Sequence, residues 1–199
     1  FSATEGESKP QQMFWTERDA DRIRFVNMQG PGQNFSLTVS GRPLDIEYDP
    51  VHKHIYWTDE RGRVLRTILD SPERAEVLVA QREPILGVVL DPEAGEIYWA
   101  KPNQIMKAKL DGSRYEILID FLQLPTSLQI DFDAGKIYWA DLLSGNIQRA
   151  NLDGSRVETI LTGRERPVSI GLDTPRGRIY WTELDSHSIQ SATLDGTAV

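Results

Sequence analysis

Four aspartates, Asp49, Asp91, Asp131 and Asp173, each stand eight residues ahead of a tryptophan. Carboxylates recurring at a fixed interval are the residue type that holds calcium or performs acid–base work. Each of these, however, closes an apolar run and is followed by a turn containing Pro50, Pro92, Gly95, Gly135 or Gly177. Aspartate at such a place bonds nearby backbone amides, so turn capping is the preferred reading. The stretch Asp131-Phe132-Asp133-Ala134-Gly135 lacks the ligand set of a calcium loop. Of the three histidines, His52 and His54 share one turn while His187 lies in a loop of a later unit, which argues against a three-histidine metal site. Hydrolase elbows, zinc-protease helices, phosphate-binding loops and dinucleotide fingerprints do not occur. The chain has no cysteine, which excludes thiol nucleophiles, disulfides and Cys-ligated zinc. The residues therefore predict no catalytic group, no metal and no cofactor.

The elements that carry these residues come from a chain of 199 residues with 22 basic and 30 acidic side chains, a formal charge of −8. That balance disfavours nucleic acid, whose binders need net positive surface. At 39% hydrophobic and 26% charged, the composition is that of an ordinary globular chain, long enough for one domain. No apolar run reaches the roughly 18 to 20 residues that cross a bilayer, so no membrane span is expected, and FSATEGESKP has no signal-peptide pattern. Asn34-Phe35-Ser36 is a sequon, making Asn34 a glycosylation candidate in a secretory setting.

An internal repeat organises the whole chain. Trp15, Trp57, Trp99, Trp139 and Trp181 are spaced by 42, 42, 40 and 42 residues, and each follows an aromatic. Turns keep the same phase: MQG at 28–30, LDS at 69–71, and LDG at 110–112, 152–154 and 194–196. Within one period, PTSLQIDF, KIYWAD, NIQRANL and VETILT read as four antiparallel strands, a to d, separated by turn residues. Strand b is apolar on consecutive residues, so both its faces must be covered, as in sheets stacked face to face. The reading is all-β: a β-propeller of four-stranded blades over 11–199, with repeats at about 11–40, 41–81, 82–122, 123–163 and 164–199. Residues 1–10 are read as a tail or edge strand.

The motifs FWTE at 14, YWTD at 56, YWAK at 98, YWAD at 138 and YWTE at 180, each followed by an LDG-like turn, resemble the YWTD repeats of low-density-lipoprotein-receptor-type propellers. The resemblance runs from about Gln11 to Gly196. It departs from the family at Lys101, which replaces an acidic residue and should weaken a blade contact, and in showing five repeats where the family has six blades. A truncated or atypical member is therefore expected. The resemblance implies a non-enzymatic, extracellular or secreted module that binds a protein or peptide ligand, in a free protein or a receptor ectodomain.

Antiparallel connection puts the b-to-c and d-to-a loops on one face, where they vary from repeat to repeat, and the Asp and LDG turns on the other. Diversified loops on a rigid scaffold are where a binding site belongs. Phe121, Leu122 and Leu124 should adjoin Leu142 and Leu143, with Asp120, Asp141 and Arg164 around them, an apolar centre with a charged rim. Phe121 and Leu124 have core extension between blades as the competing reading; Leu122, Leu142 and Leu143 are the stronger candidates. Arg42, Arg82, Arg164 and Arg166 precede the a strands, and neutralisation by Glu17, Asp59, Asp141 and Glu183 competes with acidic-ligand recognition. Two other classes stay open: a lactonase-like propeller hydrolase, and a lectin-like or assembly subunit whose unpaired strand edges join a second copy.

Overall fold

Each Tyr-Trp pair lies in the middle of a strand, where neighbouring side chains point to opposite faces of the sheet. A sheet must therefore stand on either side, and the computed structural model has that arrangement. It describes residues 12–27, 34–69 and 71–199. The expected tail or edge strand at 1–10, the turn at 28–30 and Asp70 of the following turn lie outside the described residues.

Five antiparallel sheets follow one another along the chain. The first comprises β1 (Gln12–Glu17), β2 (Arg22–Asn27) and β3 (Asn34–Thr38). The second holds β4 (Pro43–Asp49), β5 (His54–Asp59), β6 (Arg63–Ile68) and β7 (Ser71–Ala80). The third holds β8 (Gly87–Asp91), β9 (Glu96–Lys101), β10 (Gln104–Lys109) and β11 (Glu116–Ile119). The fourth holds β12 (Pro125–Asp131), β13 (Lys136–Asp141), β14 (Asn146–Asn151) and β15 (Glu158–Leu161). The fifth comprises β16 (Pro167–Asp173), β17 (Arg178–Glu183) and β18 (Ser188–Thr193). Within each sheet the strands pair in chain order, and the innermost strands pack in succession, β1 on β4, β4 on β8, β8 on β12 and β12 on β16. This is a β-propeller of five blades. Three have the expected four strands; among the described residues the first and the last have three.

The aromatic pairs form the core between blades. Tyr56 packs with Val88 and Trp99 of the next sheet, Tyr98 with Leu128 and Trp139, and Tyr138 with Ile170 and Trp181. Trp57 faces the other way, onto Ile23 and Phe14 of the first sheet. Tyrosine thus covers the following blade and tryptophan the preceding one. Where no neighbouring sheet is described the same positions are open: Trp15 is 37% exposed, and Ile189 is 77% exposed although Ile23, Ile105 and Ile147 at its place in other blades are fully buried.

The turn face repeats one set of bonds. Asp91 and Asp131 accept the amides of Ala94 and Ala134 at 3.0 Å, Asp173 that of Arg176 at 3.2 Å, and Asp49 those of Val51 and His52. These are turn caps, as their spacing predicts. In the LDG turns the leucine carbonyl accepts from the preceding blade: Arg66 reaches Leu110 O at 3.0 Å and Arg149 reaches Leu194 O at 3.1 Å, each with its guanidinium over a tyrosine ring. A Cβ on Gly112, Gly154 or Gly196 would collide with the carbonyl oxygen of Leu78, Leu118 or Ile160 in the blade before. Glycine is fixed there by close approach as well as by positive φ.

Candidate functional site

The loops of the opposite face join neighbouring blades through the residues that vary. The 120–124 connection is tied to the third blade by Leu122 N on Asn103 O at 2.9 Å and to the fourth by Leu142 N on Leu124 O at 2.9 Å. Leu124 and Leu142 are therefore neighbours, each half-buried.

Asp141 lies beneath them, 1% exposed, and accepts the amides of Gln123 at 2.9 Å, Leu124 at 3.1 Å and Ser144 at 3.2 Å. A carboxylate so occupied holds the two loops in place. Phe121 and Leu122 exchange the roles expected of them. Leu122 is half-buried against the core shared by the third and fourth blades, whereas Phe121 is 93% exposed. The cause is the backbone: Phe121 sits at φ +61, which turns its ring outward while its amide donates to Asp120 Oδ1 at 2.8 Å. Leu143 is 62% exposed and Leu184 of the next b-to-c loop is also exposed. These three side chains form the apolar content that the loop face shows to solvent, and Leu184 could have been found from the sequence by its place in the repeat.

The charged rim is paired, but with other partners than the sequence suggested. Arg42 meets Asp19 and lies 3.2 Å from Glu60, and Arg18 pairs with Glu60 as well. Arg42 beside it holds the Asp19 carboxyl below its usual range. Arg166 pairs with Asp185 at 3.3 Å, and Arg164 lies over the Trp181 ring at 5.9 Å. The acids named as partners are engaged elsewhere: Glu17 with Arg24, Asp59 with Arg63, Asp141 with amides, and Glu183 with Trp181 Nε1 at 2.8 Å. Arg82 is exposed with no partner among the described residues. Asn34 opens β3.

Beside Phe121 the loop face carries a cleft of about 580 Å³, lined by Glu83, Lys101, Asn103, Gln104, Asp120 and Phe121 among others. A second, of about 420 Å³, lies on the turn face around His52, His54, Tyr56 and Arg66. His52 Nδ1 is 2.7 Å from Asp49, and His187 stands on the loop face, so the histidines do not converge. Among the described residues no three histidine or acidic side chains are grouped as metal ligands. Among the described residues no helix is long and apolar enough to cross a membrane.

Comparison with known proteins agrees with this architecture. The profile of the Low-density lipoprotein receptor repeat class B matches residues 135–177. Low-density lipoprotein receptor-related protein 5-like protein of Homo sapiens is 28% identical over 142 residues, 68% of this chain and 56% of that protein. Vitellogenin receptor of Solenopsis invicta is 27% identical over 63% of this chain, which is 7% of that receptor. The chain thus spans about half the length of the first relative and a small part of the second. A solved structure, described as the crystal structure of a Nidogen/Laminin complex, superposes with a TM-score of 0.80 over 92% of this chain and 73% of that one, at 20% identity. The chain is a β-propeller whose repeats are similar to low-density lipoprotein receptor class B, or YWTD, repeats, with the profile match confined to residues 135–177.

Proposed function

We propose that this propeller is a non-enzymatic, extracellular interaction module of receptor type whose loop face binds a protein or peptide ligand. The observation that carries the reading is Phe121, a large aromatic side chain 93% exposed at the end of a loop fastened to two blades. Leu143 and Leu184 extend the apolar surface, and the ion pairs of Arg42 and Arg166 belong to the same face. A solvent-facing aromatic on a rigid frame with a polar surround is how protein-binding surfaces are built. The relatives support it by name, since one is a vitellogenin receptor.

The test is capture from extracellular fluid by the immobilised chain, with the retained proteins identified. Phe121→Asp together with Leu143→Asp should abolish retention, whereas Val51→Asp, on the turn face, should leave it intact. Equal retention by both variants would sink the assignment. A second reading, assembly with another copy, rests on the open side chains of Tyr180 and Ile189 in the fifth blade. A solution mass above the 22.6 kDa of one chain, measured by light scattering, would favour it.

A further inference from the structure

One position behaves differently in the third blade from its counterparts. In the second, fourth and fifth blades the residue two places after the tryptophan is Asp59, Asp141 or Glu183, each buried. Their oxygens are consumed locally: Asp59 accepts from the amides of Arg61 and Arg63, Asp141 from three loop amides, and Glu183 from Trp181, Ser186 and Gln190. The third blade has Lys101 there, and an ammonium cannot accept a hydrogen bond. Its loop holds the 580 Å³ cleft.

The Lys101 ammonium is matched within the chain by Glu83 alone among the described acids, at 3.3 Å, and that carboxylate is half exposed. The lysine side chain is 18% exposed but its partner acid is open to solvent, and a single contact to an exposed acid is weak, so a competing carboxylate that reaches the ammonium through the cleft can replace it. Asp120, the other acid lining the cleft, is held by Gln104 Nε2 at 3.0 Å and by the Phe121 amide at 2.8 Å. Arg82, next to Glu83 in the chain, is exposed and has no partner among the described residues. Across the cleft, Phe121 occupies the left-handed region, which costs a bulky residue about 1 kcal/mol or more, with no burial of its ring to offset it.

We propose that this cleft receives an acidic side chain of a protein ligand on the Lys101 ammonium while an apolar neighbour of that acid lies against the Phe121 ring. The inference rests on the reading of the loop face as the ligand face. It adds the partner's chemistry: an aspartate or glutamate beside an aromatic or aliphatic residue, in an exposed segment.

The probe is a displayed library of short random peptides selected on the immobilised full chain. Recovered peptides should be enriched in acidic residues adjoining apolar ones. Lys101→Glu and Phe121→Ser should each weaken their binding roughly tenfold or more, and Lys101→Met, which keeps the aliphatic stem, should weaken it nearly as much. A peptide whose acid is changed to lysine should prefer Lys101→Glu over the unaltered chain. Peptides lost on Leu143→Asp but unaffected by the Lys101 and Phe121 changes would overturn the cleft and leave the ligand face standing, as would a selection without acidic enrichment. Peptides indifferent to all three positions would overturn both.

Discussion

The two ends of the blades solve the same problem, fastening one sheet to the next, by different means. On the turn face the fastening recurs between blades: aspartates cap their own turns, a guanidinium of the second and of the fourth blade reaches a leucine carbonyl of the next, and glycines let backbones touch. On the loop face the second and fourth blades each use one buried acid to collect whatever amides the local loop offers, and every loop is different. The first scheme fixes sequence and the second frees it. A scaffold can therefore diversify one face without disturbing its core.

The largest expected effect breaks the turn-face scheme. Gly154→Ala places a methyl against Leu118 O at a positive φ and should destabilise the chain by about 3 kcal/mol in urea unfolding, while Gly95→Ala, which meets open space, should cost about 1 kcal/mol. Comparable losses would mean that close approach between blades is unimportant. Next, Asp141→Ala should cost about 2 kcal/mol by stranding three amides, and amide exchange should accelerate at Gln123, Leu124 and Ser144 ahead of the turn face.

A smaller effect comes from β4, which runs between the faces. Burial pushes the Asp45 carboxyl up to about 6 and Glu47 up to about 8, the latter helped by Asp45. Because these acids hold their protons more tightly folded than unfolded, they are least costly below their ordinary values of 3.8 and 4.5, and stability is lost as pH rises through about 6 and then 8. Glu47→Gln should reduce the fall in melting temperature between about pH 5 and about pH 8.5 by roughly 3 °C. An unchanged slope would show that the carboxyl is well solvated. The smallest effect on stability is at Phe121: Phe121→Gly relieves the left-handed backbone and should leave stability unchanged or raise it by up to about 1 kcal/mol in thermal melts, while ligand capture falls. A clear loss of stability would make Phe121 a structural residue.

The fold was legible because its core is written in spacing. Five aromatic-Trp pairs one period apart specify which strand is covered on both sides, and the turns keep phase with them. The loop face was legible as a place but not in its details. The order of Phe121 and Leu122 could not be read, since which of two adjacent apolar residues points inward depends on a positive φ that no glycine marks. Asp141 looked like a surface acid because its amide partners lie in a loop 17 and 18 residues away. Lys101 was visible as a departure from the repeat, yet it was taken as a weakened contact; the position's meaning depends on what the same place does in other blades.

The acceptors at Leu110 and Leu194 are main-chain carbonyls, and a carbonyl is not specified by any codon. Replacing either leucine changes what fills the space beneath the turn but cannot delete the oxygen that its neighbour grips. Half of each fastening is thus immune to point mutation, and inheritance has only to guard the arginine and the glycine.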